Sequence, residues 1–188
     1  IMINLKLLAE DLQDLDAHPR DARRRAVLKV DVLRREAERL QSLFDEFLTL
    51  TGPYALHRRD IDLNLVVARL VEFCEPLLST HKIRVTIDAA SNPLHYPVDE
   101  KLLRQALLNI VINAQQAMPD GGELRMTTGM DGDGAYLSVA DTGVGLPHQY
   151  HDRVFRPFFS TKSGGTGLGL SITQRIIHEH DGTLTFHS

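Results

Sequence analysis

Three short segments towards the C-terminal end carry residue types suited to a phosphorylated ligand. They are Asn109 to Asn113, Asp141-Thr142-Gly143-Val144-Gly145, and Gly165-Thr166-Gly167-Leu168-Gly169-Leu170. Asn109 and Asn113 are four apart in a run otherwise rich in leucine, isoleucine, valine and alanine, so on a helix they stack on one side. A buried amide costs about 1–3 kcal/mol unless it is hydrogen-bonded, so the pair wants polar partners. One partner chemistry is a hard cation, since Mg²⁺ takes carbonyl oxygens together with phosphate oxygens and waters. The other is a neighbouring loop whose backbone both amides would cap.

Asp141 follows the alternating run Tyr136 to Ala140 and precedes Gly143 and Gly145. A carboxylate at a strand end, beside glycines that admit a ligand to the backbone, can accept from an adenine amino group; it can equally form a plain Asp-Thr-Gly turn. The second glycine run opens onto a helix starting near Leu170. The free amides and positive dipole end of such a helix hold phosphate well. The run is not a P-loop, because no lysine–hydroxyl pair follows its last glycine. Nor does it sit in an early strand–turn–helix unit, as a dinucleotide fingerprint would. Between the two glycine runs, Leu146 to Ser163 carries Phe155, Phe158, Phe159 and then Lys162. A connection of this length with anchoring aromatics and a cation reads as a lid, or as a surface loop pinned by its aromatics. The chain's 9 histidines do not point to metal. His178 and His180 are two apart and cannot share a helix face as a zinc pair does.

The elements that must position these residues fall into two groups. Ile1, Leu5, Leu8, Leu12 and Leu15 alternate spacings of four and three, as do Ala26, Val30, Leu33, Ala37, Leu40, Phe44 and Phe47. Pro19 is expected to end the first helix and Thr51-Gly52-Pro53 the second. Residues 1–51 are thus predicted to form a helical hairpin whose two apolar stripes pair with a second copy in a dimeric four-helix bundle. The alternative is that the stripes pack on the rest of the same chain. At 1.5 Å per residue, helices of about 16 and about 26 residues leave the second overhanging, so the hairpin is expected to be truncated at its N-terminus.

Residues 52–188 are predicted to be a separate α+β domain, a two-layer sandwich in which helices cover one face of an antiparallel or mixed sheet. Asp62 is placed to cap a helix over Leu63–Leu78 that Pro76 bends or ends. Strands are expected at Ile83–Ile87 and Leu94–Val98, and a hairpin around Asp131-Gly132-Asp133-Gly134. Asp99 caps a strong helix to Met118, a last helix covers Leu170–Glu179, and a final strand starts at Thr183–Phe186. With 188 residues, 43% of them hydrophobic, such a core can be buried. The net charge of −4 is spread along the chain and gives no nucleic-acid footprint. The single cysteine, Cys74, can form no internal disulfide, which favours a reducing, cytoplasmic setting. No apolar run approaches the roughly 18 residues of a membrane helix, so no membrane contact by these residues is expected.

With these residues in view, the chain resembles the catalytic half of a bacterial sensor histidine kinase, whose ATP domain belongs to the group shared by gyrase, Hsp90 and MutL. The stretch Leu108-Asn109-Ile110-Val111-Ile112-Asn113-Ala114-Gln115-Gln116-Ala117-Met118-Pro119 looks like that family's N box, which makes Asn113 the implied Mg²⁺ ligand. Asp141 matches the adenine-binding aspartate of the first glycine box. Phe155-Arg156-Pro157-Phe158-Phe159-Ser160-Thr161-Lys162 looks like the phenylalanine box with its phosphate-facing lysine, and Gly165 to Leu170 matches the second glycine box. The implied ATP-binding set is Asn109, Asn113, Gln116, Asp141, Gly143, Gly145, Phe155, Lys162, Gly165, Thr166, Gly167, Leu168 and Gly169. Two departures stand out. No histidine has the context of the family's phosphoacceptor, which is expected upstream of Ile1. Gln116 stands where many members carry a lysine.

The resemblance implies a kinase that passes the γ-phosphoryl of ATP to a histidine of the dimerisation helix. From there the group moves to an aspartate of a response-regulator receiver domain. Two alternatives stay open at this point. One is an ATP-hydrolysing switch of the gyrase type; its relatives carry a glutamate base where Asn109 stands. The other is a nucleotide-regulated binding module without transfer chemistry.

Overall fold

The computed structural model describes residues 2–13, 19–52, 55–132, 134–162 and 165–187. Ile1, Leu15, Pro53, Asp133 and Ser163, named above, lie outside the described residues. The chain divides into two compact units, Ile1–Thr49 and Leu50–Ser188.

The first unit is helical, with α1 at Met2–Gln13 and α2 starting at Pro19 and running to Thr51. Pro19 therefore opens α2 instead of serving only as a stop. At the first helical position its missing N–H has no intrahelical partner to lose, and its fixed φ already suits the helix. This makes α2 33 residues long, well beyond the expected length. Leu8 and Leu12 of α1 line one groove with Ala26, Val27 and Val30 of α2. Lys29 Nζ donates to the Leu7 carbonyl at 2.9 Å. Farther along α2, Leu40, Phe44 and Phe47 of the apolar stripe are 51%, 60% and 44% exposed.

The second unit is an α+β sandwich. Its strands are β1 (Arg59–Asp62), β2 (Ile83–Asp88), β3 (His95–Val98), β4 (Gly122–Asp131) and β5 (Gly134–Asp141). Its helices are α3 (Leu63–Thr80), α4 (Glu100–Ala117) and α5 (Gly169–Glu179). The main sheet has the order β2-β4-β5, and β1 pairs with β3 in a separate ribbon. β2 runs parallel to β4, with Val85 opposite Leu124, while β4 and β5 form the expected antiparallel hairpin. Leu124 and Met126 point from β4 into a core shared with Val67 and Leu70 of α3 and Leu103, Leu107 and Val111 of α4. Each such side chain contributes about 1.5–3 kcal/mol relative to exposure.

Three local features were not read correctly or fully from the residues. Arg59–Asp62 carries one apolar residue and no alternation, yet it forms β1 because β3 offers an antiparallel partner. Pro76 lies inside α3, which continues for another turn to Thr80. The Ser79 and Thr80 hydroxyls donate to its carbonyl. Thr183–Phe186 forms no strand, since no neighbouring strand pairs with it; Phe186 instead sets its ring edge-on to His151, 5.1 Å between centroids.

Both aspartate caps form as read. Asp62 Oδ1 accepts from Asn64 N at 3.0 Å. Asp99 is buried at the head of α4, where Oδ1 accepts from Leu102 N at 3.2 Å and Oδ2 from His57 N at 3.0 Å. Burial pushes the Asp99 carboxyl up, but the amides of His57, Leu102 and Lys101 and the nearby His180 ring outweigh it, leaving it below the ordinary carboxylate value. A folded-state value below the unfolded one means stability that is present above the unfolded pKa and lost as pH falls through the folded one. Asp99→Ala is therefore expected to cost about 1–2 kcal/mol in urea unfolding at neutral pH, the size of a lost cap. The gap from wild type should close as pH drops below about 4, where the unfolded carboxyl protonates.

Candidate functional site

α4 is the platform of the site. Its apolar residues face α3 and the sheet, and α5 packs alongside it. Asn109 and Asn113 are half-buried on this helix and Gln116 is exposed near its end. Asn109 Nδ2 donates to the Gly169 carbonyl at 3.1 Å and lies 3.5 Å from Thr173 Oγ1. The loop-capping reading therefore holds for Asn109: its amide fixes the start of α5 against α4. Asn113 does something else. Its Oδ1 accepts from the ammonium of Lys162 at 3.3 Å, and the same Nζ donates to Gln116 Oε1 at 2.6 Å.

The first glycine segment is pressed onto the last turn of α4. Val144 N donates to the Ala117 carbonyl at 3.0 Å. A Cβ on Gly143 would sit 2.7 Å from Ala117 Cβ and from its carbonyl oxygen, which only glycine avoids. Asp141, the last residue of β5, accepts from Gly143 N through Oδ1 at 2.9 Å. The plain turn is thus present. It leaves the carboxylate exposed and its second oxygen available. Gly145 follows with φ +66°.

The segment between the glycine runs folds around Phe159. A short 3₁₀ helix, His148–Arg153, supplies Tyr150, whose ring centroid lies 5.6 Å from that of Phe159. The same helix supplies Arg153, whose guanidinium carbon lies 4.7 Å from the Phe159 centroid. Phe158 is 67% exposed and holds φ +64°, a backbone state rare for a bulky side chain. Phe155 sits apart from the Lys162 cluster, in a cleft it shares with Pro157, Ser171, Gln174 and His178.

Gly167, at φ +69°, has no room for a side chain: a Cβ would lie 2.5 Å from the Phe158 carbonyl carbon and 2.7 Å from Phe159 N. The second glycine run is thereby locked to the lid segment. Ser160 Oγ, which accepts from Lys162 N at 3.1 Å, occupies the space a Cβ on Gly165 would need. Thr166 Oγ1 accepts from Leu168 N at 3.3 Å. Leu168 is a buried plug beneath the loop, and Gly169 begins α5.

The structure thus brings together Asn113, Gln116, Lys162 and, within electrostatic reach, Asp141. Burial pushes the Lys162 ammonium below its usual value, and the Asp141 carboxylate pulls it partly back. Two residues were missed in the sequence. Thr173 is fully buried, and its Oγ1 donates to the Gly169 carbonyl at 2.9 Å. Ser160 braces Lys162. Thr173 lies one turn beyond Gly169, a spacing that could have marked it. His180, two residues beyond His178, accepts from Asp99 N through Nε2 at 2.9 Å. Among the described residues no group of three His, Cys, Asp or Glu side chains is placed to hold a metal ion.

Comparison with known proteins places the chain among relatives of known family. Residues 98–188 match the family model of histidine kinase-, DNA gyrase B- and HSP90-like ATPases. The sensor histidine kinase ZraS of Klebsiella oxytoca is 35% identical over 158 residues, covering 84% of this chain and 34% of ZraS. The structure of full-length ShkA in complex with AMPPNP superposes with a TM-score of 0.73 at 28% identity, over 81% of this chain and 34% of ShkA. ThkA in complex with the response regulator protein TrrA is similar in fold, with a TM-score of 0.69 at 22% identity over 95% of this chain and 52% of that one. The chain spans about a third of the length of the curated relatives ZraS that it matches.

Residues 98–188 therefore form a nucleotide-binding domain of the histidine kinase, gyrase and Hsp90 type. Within that group the chain belongs with the bacterial sensor histidine kinases, as their catalytic region. No helix among the described residues is long and apolar enough to cross a membrane.

The lock between the two loops can be tested. Gly167→Ala is expected to lower stability by at least about 1 kcal/mol, since the backbone state and the contact both oppose a side chain. Gly169→Ala, whose Cβ would meet Asn109 at an ordinary 3.7 Å, serves as the control. It should stay within about 1 kcal/mol of wild type in thermal unfolding, because alanine suits a helix.

Proposed function

We propose that this chain is the core of a sensor histidine kinase: it binds ATP with Mg²⁺ and supplies the γ-phosphoryl that is transferred to a histidine of the dimerisation helix. The observation that carries this reading is the convergence of the lid cation Lys162 with Asn113 and Gln116 of α4, beside the Asp141 carboxylate. Asp141 keeps an oxygen free to accept from an adenine amino group. Lys162 and the glycine loop at the head of α5 are suited to the phosphates.

The donor set fits the metal. Asn113 Oδ1 is a half-buried amide oxygen that already faces a cationic group, and such an oxygen suits Mg²⁺, with phosphate oxygens and waters completing the shell. Bound there, Mg²⁺ would offset charge on the phosphates. The chain's own work is then to orient the triphosphate and exclude water, since phosphoryl transfer rests mainly on positioning and electrostatics.

A hydrolysing switch of the gyrase type needs a base where Asn109 stands. An amide accepts no proton near neutral pH, and this one is spent on the Gly169 carbonyl. The binding-module reading lacks an observation of its own. The first unit (residues 1–51 by sequence) is proposed to be the dimerisation hairpin, with the partly exposed stripe of Leu40, Phe44 and Phe47 as its seam. Residues 52–188 are proposed to be the ATP-binding domain. The resemblance to sensor kinases further proposes a response-regulator receiver domain as the phosphoryl acceptor, and a cytoplasmic setting where ATP is supplied.

Calorimetry with ATP and MgCl₂ tests the site. Asn113→Asp and Asp141→Asn are each expected to abolish measurable binding, and wild-type affinity in either variant removes that residue from the site. The seam is tested by sedimentation. Phe44→Asp should convert a dimer to monomers, because a charge in an apolar helix seam is strongly disfavoured; an unchanged dimer would place the interface elsewhere.

A further inference from the structure

Gln116 lies three residues beyond Asn113, so both side chains leave the same face of α4. The shorter of the two Lys162 bonds goes to Gln116, 2.6 Å against 3.3 Å to Asn113. The backbone of Lys162 is held as well: its N–H donates to Ser160 Oγ, and that hydroxyl donates back to the Lys162 carbonyl at 3.3 Å. A basic side chain at position 116 would repel the ammonium, whereas a glutamine carbonyl accepts from it. Asn113 Oδ1 is therefore engaged by a cation that belongs to the chain. A divalent cation at Asn113 Oδ1 and the Lys162 ammonium would repel each other across a few ångströms, which disfavours their sharing this oxygen.

We propose that Gln116 is a positioning residue that holds the Lys162 ammonium against Asn113 Oδ1, so that the lid lysine and a divalent cation compete for this oxygen and nucleotide entry exchanges one for the other. The competition rests on the reading of Asn113 as a metal ligand given above; the hold on Lys162 does not. The exchange moves the lysine off α4 towards the phosphates at the moment the metal takes its place. A cation faces the Asn113 oxygen in both states, +1 in one and +2 in the other, and the lid segment is committed to one arrangement or the other.

The hold is read by competitive acetylation of the whole chain with limiting acetic anhydride, without nucleotide, using exposed Lys82 and Lys101 as internal references. Gln116→Leu is expected to raise the relative reactivity of Lys162 about fivefold, the effect of losing one exposed charge-assisted hydrogen bond. Gln116→Glu, which keeps an acceptor, should leave it at or below wild type. Unchanged Lys162 reactivity in Gln116→Leu, with circular dichroism reporting an intact fold, overturns the proposal. So does an equal rise in both variants, which would mark a general disturbance of the lid.

The competition is read by calorimetry of AMPPNP over a series of MgCl₂ concentrations. Gln116→Leu should lower the half-saturating Mg²⁺ concentration by about the same factor; identical dependence in the two proteins removes the exchange. If wild type binds no AMPPNP at all, the kinase reading falls, while the acetylation comparison still decides whether Gln116 holds Lys162.

Discussion

α5 is held at both ends by α4, and the site exists because of it. At its start, the Asn109 amide takes the Gly169 carbonyl, joined by Thr173 Oγ1. At its end, His180 accepts from the Asp99 backbone N–H through Nε2 and donates its Nδ1–H to the Ile176 carbonyl, 2.7 Å away. Asp99 is the residue that caps α4 itself, so one carboxylate and its own amide organise the head of α4 and the tail of α5 together. An isolated helix of 11 residues is marginal in water. Buried Ile172 and Ile176 and these two polar ties are what make α5 a fixed support for the glycine loop.

The chain reversal after α5 shows the same economy. Asp181 takes a left-handed backbone, φ +61°, and the amides of Asp181 and Gly182 return to the carbonyls of His178 and Ile177. Arg58 reaches the Glu179 carbonyl at 2.6 Å and the Asp181 carboxylate at 2.8 Å, adding a cation where the helix dipole is negative. The helix end is satisfied without a glycine at the left-handed position. Rigidity is thus concentrated around α4 and α5, while the segment between the glycine runs rests on a few contacts centred on Phe159. That contrast suits a site with a firm floor and a movable cover.

Much of this was legible in the residues. The caps at Asp62 and Asp99 and the β4–β5 hairpin follow from local chemistry that acts within a few residues. The same holds for the core face of α4. The rest depended on context beyond the local residues. Proline lacks an amide, yet Pro19 also opens α2, where no amide is needed, and Pro76, expected to bend or end its helix, lies inside α3, whose next turn still forms. Arg59–Asp62 and Thr183–Phe186 went wrong in opposite directions. A strand is made by its partner, and only the fold decides that β3 reaches the first and nothing pairs with the second.

The sequence by itself determined the group to which the protein belongs and the residue types its pocket must contain. A carboxylate at a strand end, amides on an apolar helix and glycines before a helix are local features that survive without coordinates. Tertiary structure alone decided which of them meet. It gave the two asparagines separate tasks, set Phe155 apart, and joined Lys162 to Gln116 and Asn113 across 46 and 49 residues of chain. A hydrogen bond depends on distances of a few ångströms between groups that spacing along the chain does not relate. Those distances follow from how α4, α5 and the sheet pack.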